Sequence, residues 1–516
     1  MFDYRYNTFY EVLKEHATKR PKATAYFVGD RKISFKRLLL KVDTFARFLE
    51  LMGLHKGDRL ALVMANSVEF VVALLAAQKL GATPVPINNF LKEEEILYIL
   101  NDCQAKFLVA SAQYSKELQN VLERSPVERI VWEGEYNGLD EHNIAFSEIL
   151  ENLESHEQLT QPVDIDDLAV IIYTSGTTGK PKGAMLSYRN IFSNILGIEQ
   201  LLKITPKERF IVYLPMFHSF TLTVTVLMPL YFGSPVVIVR SIMPFSNIIK
   251  QVLLKRVSFF VGVPDVYNAL SKAKLPWYFH WFNRVKFYVS GAAALPEDTL
   301  KRFRQKFKKG VLLEGYGLSE ASPVVAVNLP NKQKPKSVGP AIPGVTVKIV
   351  DDDMVELPHG QIGEIIVKGD NVMQGYLGRP EATAETIVNG WLKTGDLGYM
   401  DEDGFIFIVD RKKDLIISKG INIYPREIEE VLMNHPAVKA AAVIGMKDEK
   451  SGEVPVAYIE LEEGVKVSES EIRRYLKEHL ANFKIPKAIH FIEELPKNAT
   501  GKVLKRVLKE RIANEA

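Results

Sequence analysis

Over residues 1–410, short runs rich in Val, Ile and Leu alternate with longer segments of helical periodicity, and this alternation leaves few architectures open. The stretch 59–64 reads as a strand and 68–80 as the helix that follows it. The runs 106–110, 168–173, 210–214 and 236–239 are apolar and too short to be helices. Strands that are apolar on both faces and separated by helices belong in parallel sheets covered on both sides, which is the α/β class. From about residue 337 the texture changes. Residues 345–351, 363–368 and 404–409 alternate as antiparallel strands do, with Asp403-Gly404 as a tight turn. A β-rich subdomain over 337–410 is expected to close a large N-terminal domain spanning 1–410. Residues 411–516 form a different unit, a small α+β C-terminal domain. It holds a strand (414–418), a helix opened by Pro425 with Glu427, Glu429 and Glu430 near its start, apolar strands at 440–444 and 454–461, a helix at 469–481 and a strand at 487–491. The charged joint Asp410-Arg-Lys-Lys-Asp414 separates the two. At 516 residues the chain exceeds what one core organises, in keeping with this division.

Charge and cysteine usage narrow the functional classes. Lys and Arg number 66 against 63 Asp and Glu, so a concentrated basic face of the kind that binds nucleic acid is not expected. The single cysteine, Cys103, excludes an internal disulfide and fits a reducing, cytoplasmic compartment; within the helical run 91–104 it reads as a buried spectator. Residues 210–239 carry no Asp, Glu, Lys or Arg and are long enough to span a bilayer, but Pro215, His218, Pro229, Gly233 and Pro235 interrupt them. Buried strands and a helix around a cavity explain that stretch better, and the chain is expected to be soluble.

The strongest chemical signal is Tyr173-Thr-Ser-Gly-Thr-Thr-Gly-Lys-Pro-Lys-Gly183, directly after an apolar strand. Its three glycines let the backbone present N–H groups to anionic oxygens, while four hydroxyls and two lysines add donors and charge. Only Thr177 and Thr178 separate Gly176 from Gly179, so the spacing is not that of kinase and GTPase phosphate loops. A polyphosphate cradle of another kind is the reading that remains. Six further motifs follow in order: Leu214-Pro-Met-Phe-His-Ser-Phe220, Ser290-Gly-Ala-Ala-Ala-Leu295, Glu314-Gly-Tyr-Gly-Leu-Ser-Glu320, Gly390-Trp-Leu-Lys-Thr-Gly-Asp396, the stretch 410–429, and Pro496-Lys-Asn-Ala-Thr-Gly-Lys502.

Together these resemble, over essentially the whole chain, the adenylate-forming superfamily of acyl-CoA synthetases, luciferases and peptide-synthetase adenylation domains. Among them the chain is most like a medium- or long-chain fatty-acid–CoA ligase. The resemblance implies an ATP site made by Thr174, Ser175, Gly176, Thr177, Thr178, Gly179 and Lys180, by Gly291, Ala292 and Ala293, and by Glu314, Gly315, Tyr316, Gly317 and Ser319, with Asp396, Arg411 and Lys502. Asp396 and Arg411 suit the ribose hydroxyls as acceptor and donor. Glu320 is a hard oxygen ligand for Mg²⁺, assisted by Thr174. Tyr316 is expected to stack on or flank the adenine, and Ser319, where the family usually has Thr, keeps the hydroxyl that meets the α-phosphate. The implied catalytic set is Lys502, His218, Ser319 and Glu320, with Lys502 holding charge that grows on phosphorus in the transition state. Lys413 matches the hinge and Gly420 the glycine beside the thiol tunnel.

The resemblance implies two half-reactions: carboxylate and MgATP give acyl-AMP and pyrophosphate, then coenzyme A, or the thiol of an acyl carrier protein, takes the acyl group. Phe217, His218, Phe220, Thr221 and Val263 match the acid pocket, with Thr221 where the family usually has Gly. With Leu222, Val224 and Val226 they make an apolar lining without a charged residue to meet an amino group, which favours a medium- or long-chain fatty acid over an amino acid. An aryl acid comes next, and a luciferase-like oxygenase is the more remote reading. The motifs specify no oligomeric state. Finally, Leu275-Pro-Trp-Tyr-Phe-His-Trp-Phe282 places five aromatics in six positions, beside Arg284 and Lys286. One helix face cannot bury so many rings, so the segment reads either as core with some half-exposed rings or as a hydrophobic lip at the acid entrance or against a membrane surface.

Overall fold

The computed structural model describes residues 2–151, 162–174, 180–240, 244–419, 421–448, 451–497 and 503–515. The Val- and Ile-rich runs of the first half pair mainly in parallel. One five-stranded sheet, all parallel, is ordered Thr83–Pro86, Arg59–Val63, Phe107–Ser111, Arg129–Glu133 and Asn143–Ala145. An eight-stranded sheet carries at its centre the parallel neighbours Val311–Gly317, Phe287–Ser290, Phe259–Gly262, Phe210–Val212 and Val236–Ile238. Helix Val68–Lys79 is buried at every residue but Glu69, as its run of apolar side chains demands, and opens on a Ser67 hydroxyl that accepts from the Phe70 N–H. Its one charge at the C-terminal end, Lys79, reaches Asp43 at 2.7 Å, and Tyr10 donates to the same carboxylate at 2.8 Å, so the buried pair is fully engaged.

A three-stranded sheet departs from the parallel pattern throughout. Leu168–Thr174 pairs antiparallel with Lys182–Ser187, which in turn meets Gly375–Tyr376. The glycine- and threonine-rich segment therefore joins two strands of a hairpin. The second strand is short and carries Lys, Gly and Ser, which hides it from a search for apolar runs.

Residues 345–411 form an antiparallel sheet of Val345–Val350, Gly363–Gly369, Trp391–Met400, Ile387–Val388 and Ile406–Arg411. Gly404, at φ +78°, makes the turn read from Asp403-Gly404. Further on, Ile421–Ile423, Ile416–Ser418, Gly452–Leu461, Val438–Asp448 and Ala488–Ile492 make a separate sheet. Its core, including Ile416, Ile428, Leu432, Val443, Ile459 and Leu476, is distinct from the cores that precede it.

The uncharged stretch 210–239 resolves into strand Phe210–Val212, a short helix Ser219–Thr221 running into a π-helical stretch Leu222–Leu227 and helix Met228–Phe232, and strand Val236–Ile238. Among the described residues no helix is long and apolar enough to cross a membrane. Cys103 is buried at the end of helix Glu93–Cys103, where burial pushes its thiol up to about 12.

Candidate active site

Four adjacent parallel strands deliver the motif segments to one place. The C-terminal ends of Phe210–Val212, Phe259–Gly262, Phe287–Ser290 and Val311–Gly317 lead into residues 214–220, Val263, residues 291–293 and residues 314–320 respectively. In open α/β sheets this edge is where ligands collect, because the loops that follow the strands are free to vary.

Contacts between the loops are direct. Ser219 Oγ and Ser319 Oγ lie 2.8 Å apart, joining the His218 segment to the Glu320 segment. Gly291 packs so closely on the Phe220 ring that a Cβ there would stand 2.9 Å from it. Gly317 has the same constraint against backbone: a Cβ would meet the Pro323 carbonyl oxygen at 1.9 Å. Ala292 occupies the left-handed region at φ +69°, a strained conformation for a residue with a Cβ, and with Ala293 it is exposed at the strand end. Gly315 continues its strand opposite Val327.

Glu320 is the anionic centre of this cluster. Its Oε1 accepts from Thr174 Oγ1 at 3.3 Å and from the Tyr376 hydroxyl at 2.9 Å, while Lys182, the cross-strand partner of Thr174, lies over the Tyr376 ring at 5.2 Å. A carboxylate beside a hydroxyl is a hard-oxygen donor set of the kind Mg²⁺ takes as part of its shell. Asp396 is buried at 7% exposure. Its two oxygens face Tyr316, whose hydroxyl donates at 2.7 Å, and the cross-strand residue Arg411, whose Nε lies at 3.4 Å. Glu314, on the strand that ends in this motif, has its carboxyl pushed up to about 7 by burial, against the guanidinium groups of Arg426 and Arg304.

Among the residues expected to line the acid pocket, His218 caps the helix Ser219–Thr221: its Nδ1 accepts from the Phe220 N–H at 3.3 Å, which orients the ring. Thr221 is buried, and its carbonyl accepts from Thr225 Oγ1 at 2.7 Å, so that hydroxyl is used inside the helix. Phe217 is buried and meets the exposed Phe90 edge-on at 6.4 Å. Val263 caps helix Pro264–Lys272 and packs with Tyr213, Leu214 and Phe260 beneath the strand ends.

Helix Glu93–Cys103 holds both ends of the hairpin connection, a role no sequence motif marks. Asp102 accepts from Tyr173 Oη at 2.6 Å and from Arg379 Nη2 at 2.6 Å; Arg379 also reaches the Tyr98 hydroxyl at 3.3 Å. Tyr98 donates to the Pro181 carbonyl at 3.3 Å, and Lys180 lies over its ring at 5.4 Å. Ser175, Gly176, Thr177, Thr178 and Gly179, between those ends, lie outside the described residues, as do Gly420 and Lys502.

Lys497 and Val503 pair as an isolated bridge, and Lys497 Nζ comes within 3.8 Å of Asp265, two residues after Val263. Lys272 and Glu462 form a second bridge between the two halves of the chain at 2.7 Å. Asp410 receives the Arg426 N–H at 2.8 Å at the start of helix Pro425–Met433. Lys413 lies in the single 3-10 turn Lys412–Asp414 between Arg411 and strand Ile416–Ser418. Burial, then the Arg411 charge, pulls its ammonium below the usual lysine range.

The AMP-binding enzyme model matches residues 13–377, and the AMP-binding enzyme C-terminal domain model matches residues 427–502. A long-chain-fatty-acid–CoA ligase of Bacillus subtilis (strain 168) is 35% identical, with 98% of this chain and 94% of that protein covered. A 2-succinylbenzoate–CoA ligase of Bacillus mycoides (strain KBAB4) is 33% identical over 97% of this chain and 98% of its own length. Among solved structures, the O-succinylbenzoate coenzyme A synthetase of Bacillus subtilis in complex with ATP and magnesium ion superposes with a TM-score of 0.85 at 31% identity, covering 96% of this chain and 99% of that one.

Proposed function

The chain belongs to the AMP-binding enzyme family, and from that membership we propose that it activates a medium- or long-chain fatty acid as its acyl-adenylate and passes the acyl group to coenzyme A. It is an ATP-dependent acyl-CoA synthetase that uses magnesium, ATP and coenzyme A. The observation that carries the fatty-acid reading is the wall beyond His218. Phe217, Leu222, Val224, Val226 and Val263 are buried, and no Asp, Glu, Lys or Arg occurs between residues 210 and 239. Thr225 spends its hydroxyl on the Thr221 carbonyl, so the helix brings little polarity to an acyl chain. An amino acid would leave its ammonium unpaired here, at a cost of several kcal/mol.

The residues then divide the work. Asp396 has two further lone-pair positions with which to accept from ribose hydroxyls, and Arg411 donates beside it. Thr174 and Glu320 would hold magnesium, which when bound neutralises the charge of the phosphate oxygens. The acid arrives as a carboxylate, so no general base is required. His218 and Ser319 flank its path to the α-phosphate through the Ser219–Ser319 contact. Lys502 supplies a fixed ammonium where negative charge gathers on phosphorus. The Lys497–Asp265 contact supports this role, because it sets Lys497, on the same motif, beside the helix that Val263 caps. Rotation about Lys413 then withdraws Lys502 and presents the hairpin around position 420. In the present arrangement Ile417 and Ile421 of that hairpin are 51% and 47% exposed, an apolar face with no cover of its own.

The Phe90–Phe217 pair at the outer edge of the pocket also favours a second reading, an aryl acid stacked on those rings. Pyrophosphate release with octanoate, palmitate, benzoate and ferulate, each with and without coenzyme A, separates the two. The fatty-acid reading expects octanoate or palmitate to exceed the aryl acids by about tenfold or more in kcat/KM. An aryl acid in first place would replace it.

A further inference from the structure

Most rings of the aromatic segment at 275–282 stay outside the core. Phe279 alone is buried, at 1% exposure against Phe307, whereas Trp277, Trp281, Phe282 and Tyr278 are 77%, 70%, 60% and 41% exposed. The exposed rings brace one another. Trp277 meets Trp281 at 5.8 Å and Tyr278 at 5.9 Å, and Tyr278 meets Phe282 at 6.5 Å, all edge-on. The ridge is thus built before anything covers it. A short helix, Phe279–Phe282, carries it, with Phe279 as the single peg into the protein.

The two stretches of chain that carry and adjoin the ridge bear charge of one sign only. Residues 271–286 contain Lys272, Lys274, Arg284 and Lys286 and no acid, and residues 301–310 are likewise free of Asp and Glu. The two stretches are fastened together: Lys306 Nζ donates to the carbonyls of Leu270 and Ser271 at 3.0 and 3.1 Å, and Phe307 touches both Phe279 and His280. Lys308 and Lys309, which directly follow Phe307, are exposed. Lys272 and Lys286 are held by Glu462 and Glu208, whereas Lys274, Arg284, Lys308 and Lys309 are exposed and outside every ion pair among the described residues.

We propose that this ridge docks on the surface of an anionic lipid bilayer, with Trp277 and Trp281 in the headgroup region and Lys274, Arg284, Lys308 and Lys309 against lipid phosphates. Tryptophan and tyrosine, apolar with one polar handle, fit the headgroup layer better than either water or hydrocarbon. Several cations around a protruding apolar edge match the negative potential of an anionic leaflet. The docking needs no acid, ATP or coenzyme A, so its outcome is separate from the choice of substrate.

The test is co-sedimentation of the full chain with phosphatidylcholine vesicles and with vesicles containing phosphatidylglycerol, at low and high salt. Binding is expected to the anionic vesicles and to weaken with salt. Replacing Lys308 and Lys309 with Gln should weaken it by about fivefold per residue. The double variant W277S/W281S should weaken it by about tenfold or more, with an unchanged melting temperature. Where that variant proves less stable, W277S alone serves, since its ring is the most exposed of the four. Equal sedimentation with neutral and anionic vesicles, or undiminished binding by both variants, would overturn the proposal. Self-association in solution that the tryptophan substitutions abolish would also overturn it, by making a second copy the occupant.

Discussion

Glu314 shows how one carboxyl records its surroundings. Burial raises it to about 7, although Arg426, Arg304 and the Leu295 N–H favour the charged form; Glu430 adds to the rise. In the unfolded chain the same group titrates near 4.5, so between that value and 7 the folded state binds the extra proton. Stability contributed by this site is therefore present at acid pH, falls as pH rises through that window, and stays low above it. Glu314→Gln should flatten this profile and raise the melting temperature at pH 8 relative to wild type, by about 1–3 kcal/mol in stability. An unchanged difference between pH 5 and pH 8 would mean that Glu314 does not titrate there. At this scale proximity was legible wherever short motifs carried it: Glu320 stands beside Thr174, and Asp396 beside Arg411. Asp102, Arg379 and Tyr376 were not, because each meets its partner across a long sequence separation: Arg379 and Asp102 are 277 positions apart.

Among the elements, helix Glu93–Cys103 is the one whose part is largest against its sequence signal. It reads as an ordinary amphipathic helix, yet Asp102 and Tyr98 fix the two strand ends between which the phosphate-type loop runs. Asp102→Asn keeps the shape and removes the charge that holds Tyr173 and Arg379 together. The expected result is a rise in KM for ATP with about a tenfold loss in kcat/KM, because small misplacement of a positioning loop is costly to catalysis. KM for ATP equal to wild type would show that the loop keeps its place without this clamp. The parallel sheets and the antiparallel 345–411 sheet followed from hydrophobic periodicity. The hairpin partner Lys182–Ser187 and the π-helical stretch Leu222–Leu227 did not, since neither has a period that distinguishes it from its neighbours.

For the whole molecule, the proposed mechanism rests on two arrangements of one small unit about a short joint. Lys413 lies in a single 3-10 turn, with Arg411 held to Asp396 on one side and strand Ile416–Ser418 beginning on the other. Lys413→Pro fixes φ in that turn and should leave acyl-AMP formation in place while thioester formation fails. Normal turnover with coenzyme A in that variant would move the hinge elsewhere. The separate C-terminal sheet and core were legible from the change in strand pattern after the charged joint, because composition shifts where one core ends and another begins. Contacts that bridge the units, such as Lys272–Glu462, were hidden because they depend on how the units dock. The most direct measurement is the separate assay of both half-reactions in Lys502→Ala. Formation of acyl-AMP from acid and ATP should fall by about 10²–10³-fold, the loss of one transition-state charge, while thioester formation from supplied acyl-AMP and coenzyme A stays near wild type. Equal loss in the two half-reactions would contradict the mechanism.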